Sequence, residues 1–272
     1  TGPSLAVASA IVSRHGGDAP MLCCPADHLI DDEEEFRDLV GMAARVVRER
    51  DALVTFGIKP DGPETGYGYI EAGEKAEERK GRSFFEVVRF HEKPDLEKAR
   101  NYVMDESFYW NSGIFLWRPS VFRSAWERFV PESVAPLDEI SRALGTASMK
   151  ETVAAVYPQL PSVSVDYAVL EKAENVLVAP ASLNWSDVGS WDALFDILPV
   201  DDAGNIGVGY VKTLDSKRNL LFNPGGTTAA VGVEDVIVVV DGNDVLVCRR
   251  GQSQMVRDIL EKLEKDGRTD LL

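Results

Sequence analysis

The sequence predicts an α/β fold, with an open sheet covered by helices on both faces, followed by a small β element and a terminal helix. Two observations lead to this prediction. Apolar runs at residues 21–24 and 53–58 flank a helical pattern, as expected for strand, helix and strand in a sheet that is buried on both faces. Beyond residue 204 the pattern changes to short β runs separated by turn signals. The sequence therefore predicts two domains, residues 1–200 and 201–272.

The composition and net charge of the chain limit which kinds of molecule it can bind. The chain has 272 residues and a formal net charge of −16, which argues against nucleic-acid polymers and anionic membranes as partners. A small phosphorylated ligand remains compatible, because a bound metal or a local group of cations can invert the field within a pocket. The 3 cysteines cannot all pair, and two of them are adjacent in an apolar run. They predict reduced, buried thiols and a cytoplasmic location. No apolar run is long enough to cross a bilayer.

The first elements follow from apolar spacing. Residues 5–12 predict a helix that is broken at the glycines 16 and 17. After the strand at 21–24, Asp32 and Glu35 form a capping pair that opens a second helix. The apolar face of that helix is predicted to consist of Phe36, Leu39, Val40, Ala43 and Val47. With the strand at 53–58 this makes a βαβ unit, whose crossover should be right-handed.

The middle of the chain alternates strands and helices. Residues 74–82 are rich in charge and predict the exposed loop of a hairpin. Pro94 restricts Lys93 to an extended conformation and starts a helix. The other predicted elements are strands at 84–90, 108–117 and 175–179, and helices at 95–103, 120–129, 138–144 and 164–172.

The last part of the chain predicts a solenoid-like stack of short strands. These strands are predicted at 205–214, 219–222, 227–231, 236–240 and 244–248. Turn signals occupy residues 223–226 and 241–244. An amphipathic helix follows, with an apolar face made of Met255, Val256, Ile259, Leu260 and Leu263. That helix either packs on its own β element or mediates contact in a homodimer.

Residues 184–191 hold one carboxylate, Asp187, between two tryptophans in a turn that contains Gly189. We expect both indoles to be buried and to fix the turn, because tryptophan is costly to leave in water. A carboxylate held this rigidly suits a hard cation such as Mg²⁺, which prefers oxygen ligands. The alternative is that Asp187 only caps a following helix at 192–198.

A second candidate carboxylate, Asp27, follows the first apolar run within the sequence Pro-Ala-Asp-His. The prediction of a parallel strand places it at the carboxyl end of that strand, where the ligands of open α/β sheets bind. The alternative, an N-cap or an Asx-turn, stays open.

Three further places have the chemistry of a sugar-phosphate site. Gly66 and Gly68, beside Tyr67, allow the backbone to approach a ligand closely, although the motif by itself favours the alternative of a β-turn or a bulged strand. Lys93 stands between a strand end and a helix N-terminus, a favourable position for binding phosphate, or it is an ordinary solvated lysine. The amide of Asn111 can donate to and accept from sugar hydroxyls, or it holds a turn into a core strand.

Six segments, taken in order, resemble one known family. They are residues 25–28, 56–58 with 65–70, 90–94, 110–115, 164–172 and 185–191. Together they resemble the mannose-1-phosphate guanylyltransferases of the sugar-nucleotidyltransferase superfamily. The forms Pro-Ala-Asp-His and Trp-Ser-Asp-Val-Gly-Ser-Trp look more like the mannose/GTP branch than the glucose/dTTP branch. The resemblance implies a Rossmann-like nucleotidyltransferase fold, GT-A-like, with a mixed sheet.

The resemblance also implies a reaction and a set of roles. GTP and α-D-mannose 1-phosphate would give GDP-mannose and pyrophosphate by in-line attack on the α-phosphate. Asp27 and Asp187 would be catalytic carboxylates that hold Mg²⁺, and Lys93 would neutralise the sugar phosphate. Glu92 would accept hydrogen bonds from mannose hydroxyls. The rest of the sugar pocket would consist of Gly66, Tyr67, Gly68 and Asn111.

One departure from the family concerns its glycine-rich loop, which carries an Arg and a downstream Lys on the first strand and cradles the triphosphate. Nothing in residues 1–272 resembles that loop. We therefore expect the chain to begin after this loop and to be poorly active or inactive alone. Two alternatives stay open, a non-catalytic sugar-phosphate-binding or regulatory paralogue and a nucleotidyltransferase for another hexose 1-phosphate.

Overall fold

The computed structural model describes residues 1–268. They divide into two compact units, one formed by residues 1–187 and the other beginning at Val188. The sequence predicts a boundary at residue 200, whereas contacts in the structure group residues 188–200 with the second unit.

The first unit combines one main sheet with helices on both faces. Its strands are β1 (Met21–Cys23), β2 (Leu29–Ile30), β3 (Leu53–Ile58), β4 (Tyr69–Arg79), β5 (Arg82–His91), β6 (Phe108–Trp117), β7 (Val176–Ala181) and β8 (Trp185–Ser186). Its helices are α1 (Gly2–Gly16), α2 (Glu33–Glu49), α3 (Leu96–Met104), α4 (Pro119–Phe129), α5 (Val134–Ala143) and α6 (Met149–Val156).

The main sheet is mixed, which confirms the predicted fold class. Its strand order is β1-β6-β3-β7-β5-β4, and β4 also pairs with β6. Strands β3 and β7 run parallel, whereas β6 is antiparallel to both β1 and β3. Along β6, Leu116 packs in the cluster with α2, and Trp117 packs in the cluster with α1 and α4. The alternation of side chains along the strand thus gives each face of the sheet its own hydrophobic layer.

The first strand differs from its prediction. Strand β1 lies at the edge of the sheet and, within residues 1–268, pairs with β6 alone, in the antiparallel sense. Leu22 is 38% exposed. The sequence predicts a strand buried on both faces of a parallel sheet, and this is wrong. Strand β6 inserts between β1 and β3, so the two strands that α2 connects run in the same direction without touching. The adjacent Cys24 is exposed rather than buried, and Cys23, Cys24 and Cys248 are free thiols.

Helix α2 and the strand after it match their predictions. The Asp32 carboxylate accepts a hydrogen bond from the Glu35 backbone N–H at 3.0 Å, so it is the N-cap. Leu39, Ala43 and Val47 are buried, and every residue of β3 is buried as well. This contact between helix and sheet forms one half of the core of the unit.

The charged segment at 74–82 is not a loop. Strands β4 and β5 continue through it, and only Lys80 and Gly81 form the turn, with φ of 49° and 81°. Two central residues with positive φ belong to the tight turn whose twist matches that of a hairpin. The charges therefore lie on exposed strand positions, for example in the ion pair of Lys75 with Glu78 at 2.6 Å.

Smaller differences concern the helices between residues 130 and 200. Helix α5 begins four residues earlier than predicted, and α6 has no counterpart among the predicted helices. The predicted helix at 164–172 contains the π-helical segment Asp166–Leu170. The predicted helix at 192–198 reduces to α7 (Leu194–Ile197).

The second unit contains a stack of parallel strands, as the solenoid-like pattern predicts. Its strands are β9 (Ile206–Leu214), β10 (Leu220–Val231), β11 (Val236–Asp241) and β12 (Asp244–Arg249), and its last helix is α8 (Val256–Lys265). Strands β9, β10 and β11 are parallel, with Ile206, Leu220 and Ile237 in register and buried. Residues 223–226 do not end a strand, because β10 passes through them with a shift of register.

Among residues 1–268, no helix combines the length and apolar character needed to cross a membrane.

Candidate active site

A short antiparallel ladder brings together the two segments that carry the candidate metal carboxylates. Strand β2 pairs with β8 so that Leu29 is opposite Ser186. Extending this register by one residue places His28 opposite Asp187. The charges of Asp187 and Asp27 both act on the His28 ring. The two aspartates, far apart along the chain, therefore both lie near one imidazole.

His28 is held in this position by a tryptophan. The Trp185 indole N–H donates to His28 Nδ1 at 3.0 Å, and the two rings meet edge to face at 5.3 Å. Trp185 is buried, as predicted, whereas Trp191 is half-buried in the second unit and packs against Phe222. Burial lowers the pKa of His28, and the charges of Asp187 and Asp27 oppose that shift.

Asp187 has a direct partner that its sequence context does not indicate. The Tyr67 phenol donates a hydrogen bond to the Asp187 carboxylate at 3.1 Å. The Tyr67 ring lies edge to face against Trp110 and Trp185, with centroids 5.1 and 5.3 Å apart. Burial, and then the charge of Asp187, raise the pKa of Tyr67, so its hydroxyl stays a donor. The following helix has Ala193 at its N-cap, so the capping alternative for Asp187 is not observed.

Gly68 lies close to two other residues of the predicted sugar pocket, Asn111 and Glu92. Its carbonyl accepts a hydrogen bond from the Asn111 N–H at 2.8 Å. A Cβ built on Gly68 would lie 2.7 Å from Glu92 Oε2 and 3.6 Å from the Asn111 Cβ. A side chain would therefore displace the Glu92 carboxylate, which gives a physical reason for glycine here. Gly66 lies two residues earlier, in the segment between β3 and β4.

The Asn111 amide is oriented by its neighbours. Its oxygen accepts from the Gly113 N–H at 3.2 Å and from the Thr55 hydroxyl at 3.4 Å. Its nitrogen donates to Asp166 at 2.8 Å. The Thr55 hydroxyl also lies 3.5 Å from the Ile114 carbonyl, and its single proton is shared between the two acceptors. The amide oxygen is therefore held mainly by the Gly113 N–H, and one N–H of the amide remains to donate.

Lys93 stands beside Glu92, with its ammonium 3.5 Å from the carboxylate and its side chain 51% exposed. Its φ is +44°, in the left-handed region, so the predicted extended conformation is wrong. Pro94 disfavours the right-handed helical conformation at Lys93. The backbone of Lys93 adopts the left-handed conformation instead, which allows the chain to turn sharply from β5 toward α3. The Asp95 carboxylate caps α3 by accepting from the Lys98 N–H at 2.9 Å. Lys93 therefore lies close to a helix N-terminus, as predicted.

Sequence reasoning assigns no role to three side chains near Glu92, namely Asp166, Tyr167 and Glu171. Burial, followed by the charges of Asp166 and Glu92, raises the pKa of Glu171. Tyr167 is 49% exposed, and its pKa is raised by burial and then by Glu92. These residues come from the segment at 164–172, which contributes to the family resemblance. That membership was the only signal in the sequence that could have identified them.

The donor set of this region fits Mg²⁺. No group of three or more metal-binding side chains exists among the described residues. Mg²⁺ does not require such a group, because it uses one or two carboxylates together with phosphate oxygens and waters. Asp27 and Asp187 supply oxygen ligands of this kind. His28 Nδ1 could otherwise compete with these oxygens for a metal ion, but it accepts the hydrogen bond from Trp185.

Two models of known protein families match the chain. The model of the nucleotidyl transferase family matches residues 1–203. A second model, the MannoseP isomerase/GMP-like beta-helix domain, matches residues 209–263.

Individual relatives match nearly the whole chain. The xanthan biosynthesis protein XanB of Xanthomonas campestris pv. campestris (strain B100) is 39% identical over 274 residues, which cover 99% of this chain and 56% of that protein. A mannose-1-phosphate guanylyltransferase of Escherichia coli is 36% identical over 271 residues, which cover 99% of this chain and 57% of the relative. The chain thus spans little more than half the length of the curated relatives it matches.

A solved structure supports the same relationship. The crystal structure described as mannose-1-phosphate geranyltransferase from Thermus thermophilus superposes with a TM-score of 0.82 at 31% identity, over 97% of this chain and 75% of that chain. The chain therefore belongs to the nucleotidyl transferase family and is a homologue of the mannose-1-phosphate guanylyltransferases.

Proposed function

We propose that this chain carries the sugar-phosphate and metal site of a GTP:mannose-1-phosphate guanylyltransferase. The observation that supports this most strongly is that the charges of Asp27 and Asp187, which are distant in sequence, both act on the His28 ring beside the β2–β8 ladder. The names of the relatives state that they transfer a guanylyl group to mannose 1-phosphate. With GTP as the donor, the products would be GDP-mannose and pyrophosphate.

In the proposed reaction a phosphate oxygen of mannose 1-phosphate attacks the α-phosphorus of GTP. A new P–O bond forms as the bond to pyrophosphate breaks, so no protein nucleophile is required. Mg²⁺ held by Asp27 and Asp187 would supply neutralisation of the negative charge on the phosphoryl oxygens. The chain contributes positioning and electrostatic stabilisation.

The remaining side chains act on the sugar phosphate. Lys93 neutralises charge on the phosphate from its place near the N-terminus of α3. Glu92 accepts hydrogen bonds from mannose hydroxyls, and Asn111 donates its one uncommitted N–H to another. Gly68 leaves the space that the Glu92 carboxylate occupies. Gly66 provides backbone close to the ligand, and Tyr67 holds Asp187 in place.

The test is calorimetric titration of mannose 1-phosphate and GTP, each alone and with Mg²⁺, together with an assay of pyrophosphate release. Asp187→Asn should abolish the enhancement of binding by Mg²⁺ and lower any pyrophosphate release by at least about 100-fold, as for loss of a metal clamp. Asp202→Asn, at an exposed position in the second unit, is the control and should behave as the unmodified chain. Undiminished turnover in Asp187→Asn would reject the metal assignment.

The same titrations address the two alternatives. Binding of the sugar phosphate without binding of GTP, in every form of the protein, would favour a regulatory sugar-phosphate binder. Stronger competition by glucose 1-phosphate than by mannose 1-phosphate would identify a different hexose.

We also propose a homodimer formed through the C-terminal region, and a cytoplasmic location. The dimer is supported by exposed apolar side chains at the start of α8, where Met255 is 57%, Ile259 47% and Leu260 42% exposed. Sedimentation of the unmodified chain and of Ile259→Glu tests it. A monomer at all concentrations would reject it.

A further inference from the structure

The hydrogen bond between Trp185 and His28 determines where the imidazole carries its proton. An indole nitrogen can only donate, so His28 Nδ1 must accept at this 3.0 Å contact. A neutral imidazole has one donor and one acceptor nitrogen, which leaves the proton on Nε2. His28 is thereby held as a donor through Nε2.

The residues around the His28 ring show where its Nε2–H donor lies. Asp27 precedes it in the chain, and Asp187 is opposite it in the extended β2–β8 register. Its Cε1 would lie 3.9 Å from a Cβ built on Gly113. The ring is half-buried, and no residue within 1–268 hydrogen-bonds to Nε2. A neutral donor with no partner among residues 1–268 thus lies where the charges of Asp27 and Asp187 both act.

We propose that the Nε2–H of His28 donates a hydrogen bond to a phosphoryl oxygen of a ligand held at the Asp27–Asp187 edge. This inference rests on the proposed function, since the carboxylates and their metal bring the phosphate there. A neutral donor suits the place, because a second positive charge would be repelled by a divalent cation held at the same edge. His28 is then a ligand-binding residue, and Trp185 is the positioning residue that selects its tautomer.

The competing explanation is structural. If His28 only satisfies the N–H of buried Trp185, the ring needs an acceptor at Nδ1 and nothing at Nε2. Two substitutions separate these roles. The amide nitrogen of Gln reaches about as far along the side chain as Nε2 does, whereas the amide of Asn reaches about as far as Nδ1.

The first experiment measures ligand binding to His28→Gln and His28→Asn in the full chain. Mannose 1-phosphate, pyrophosphate and GTP are titrated separately with Mg²⁺, so the ligand that is affected identifies which phosphoryl group is bound. His28→Asn should weaken that ligand about tenfold, the size of one hydrogen bond to a charged group, whereas His28→Gln should stay within about threefold. The same two substitutions at His15, an exposed residue in α1, are the matched control and should change nothing.

The second experiment is independent of turnover. Nitrogen-15 NMR of the imidazoles should show His28 protonated at Nε2 and bare at Nδ1. Its Nε2 resonance should shift when the identified ligand is added. Trp185→Phe should release the tautomer to a mixture.

The outcomes are distinguishable. Equal effects of Asn and Gln on every ligand, or an Nδ1-protonated His28, would overturn the inference while leaving the proposed function intact. If the unmodified chain binds none of the three ligands, or if Asp187→Asn changes nothing, the proposed function fails and the inference fails with it.

Discussion

Tyr67 donates a hydrogen bond from its phenol to the Asp187 carboxylate across 3.1 Å, although the two residues belong to distant parts of the chain. The Tyr67 ring is wedged edge-on against Trp110 and Trp185. A packed ring with one hydroxyl on the carboxylate limits the rotation of Asp187, which is what a metal ligand needs if its geometry is to be set before the metal binds. The residue that sequence reasoning assigns to the sugar pocket therefore also supports the candidate metal site.

Tyr67→Phe removes this hydroxyl and keeps the ring. We expect Mg²⁺-dependent binding of mannose 1-phosphate to weaken by about three- to tenfold, and the free energy of unfolding to fall by about 1 kcal/mol. Calorimetry and chemical denaturation measure the two effects. Tyr109→Phe is the control, because no described residue hydrogen-bonds to the Tyr109 hydroxyl. Binding that is identical in the Tyr67→Phe and unmodified chains would remove Tyr67 from the metal site.

Gly68→Ala tests the contact with Glu92. The new Cβ would lie 2.7 Å from Glu92 Oε2, so the carboxylate must move away. Because this is the end of a flexible side chain, stability should fall by less than about 1 kcal/mol, whereas mannose 1-phosphate should bind about tenfold more weakly. Gly62→Ala, where a Cβ meets nothing within 4 Å, is the matched control. Unchanged affinity would argue against a role for Glu92 in sugar binding.

In contrast to Gly68→Ala, Gly57→Ala should act mainly on stability. Gly57 belongs to the fully buried β3, and its Cβ would lie 2.6 Å from Val178 Cγ2 and 2.7 Å from the Tyr109 Cβ. The overpacked core should lose about 1–3 kcal/mol of unfolding free energy. Thermal and urea denaturation measure the loss, again against Gly62→Ala. A stability equal to that of the unmodified chain would mean that β3 and β7 separate more easily than this packing implies.

Asp166 orients the amide of Asn111, and two substitutions separate its hydrogen bond from its charge. Asp166→Ala removes the acceptor, so the amide loses its fixed orientation and mannose 1-phosphate should bind about three- to tenfold more weakly. Asp166→Asn keeps an acceptor oxygen and should stay within about twofold of the unmodified chain. If both variants lose affinity equally, the charge of Asp166 matters and its role as an acceptor does not.

Asp201 predicts a pH dependence in the second unit. Its carboxylate accepts from the Asn205 N–H at 2.8 Å and the Ala203 N–H at 3.0 Å. The backbone hydrogen bond from Asn205 is the largest influence, and the pKa of Asp201 is held below its usual value. A lowered pKa in the folded state adds stability above the unfolded pKa of about 3.9, and that stability is lost as the pH falls through the folded pKa.

Asp201→Ala should therefore destabilise the chain at pH 7, but by a shrinking amount below about pH 4. The effect at pH 7 should be about 0.5–1 kcal/mol, because water competes for an exposed carboxylate. Urea denaturation at several pH values measures it, and Asp202→Ala should give a flat difference. A loss from Asp201→Ala that is equally large at low and neutral pH would contradict the assignment.

Local patterns in the sequence predicted much of the fold. The apolar run of β3, the cap and buried face of α2, the strand β6 and the parallel stack of β9 to β11 all follow from spacing that reports burial directly. The candidate residues of the site were also found from sequence, through motifs that resemble one family. What these motifs did not provide is the partner of each side chain.

The sequence alone determined which segments are strands or helices and which polar residues stand at their ends, because periodicity and capping are properties of neighbouring residues. Tertiary structure decided which strands pair and which side chains contact each other. It put β6 beside β1, gave the oxygen of Asn111 a backbone donor, brought Tyr67 to Asp187 and brought His28 under the influence of two aspartates. These relationships depend on which distant segments pair and in what register, and a residue's immediate neighbours in the sequence carry no record of that choice.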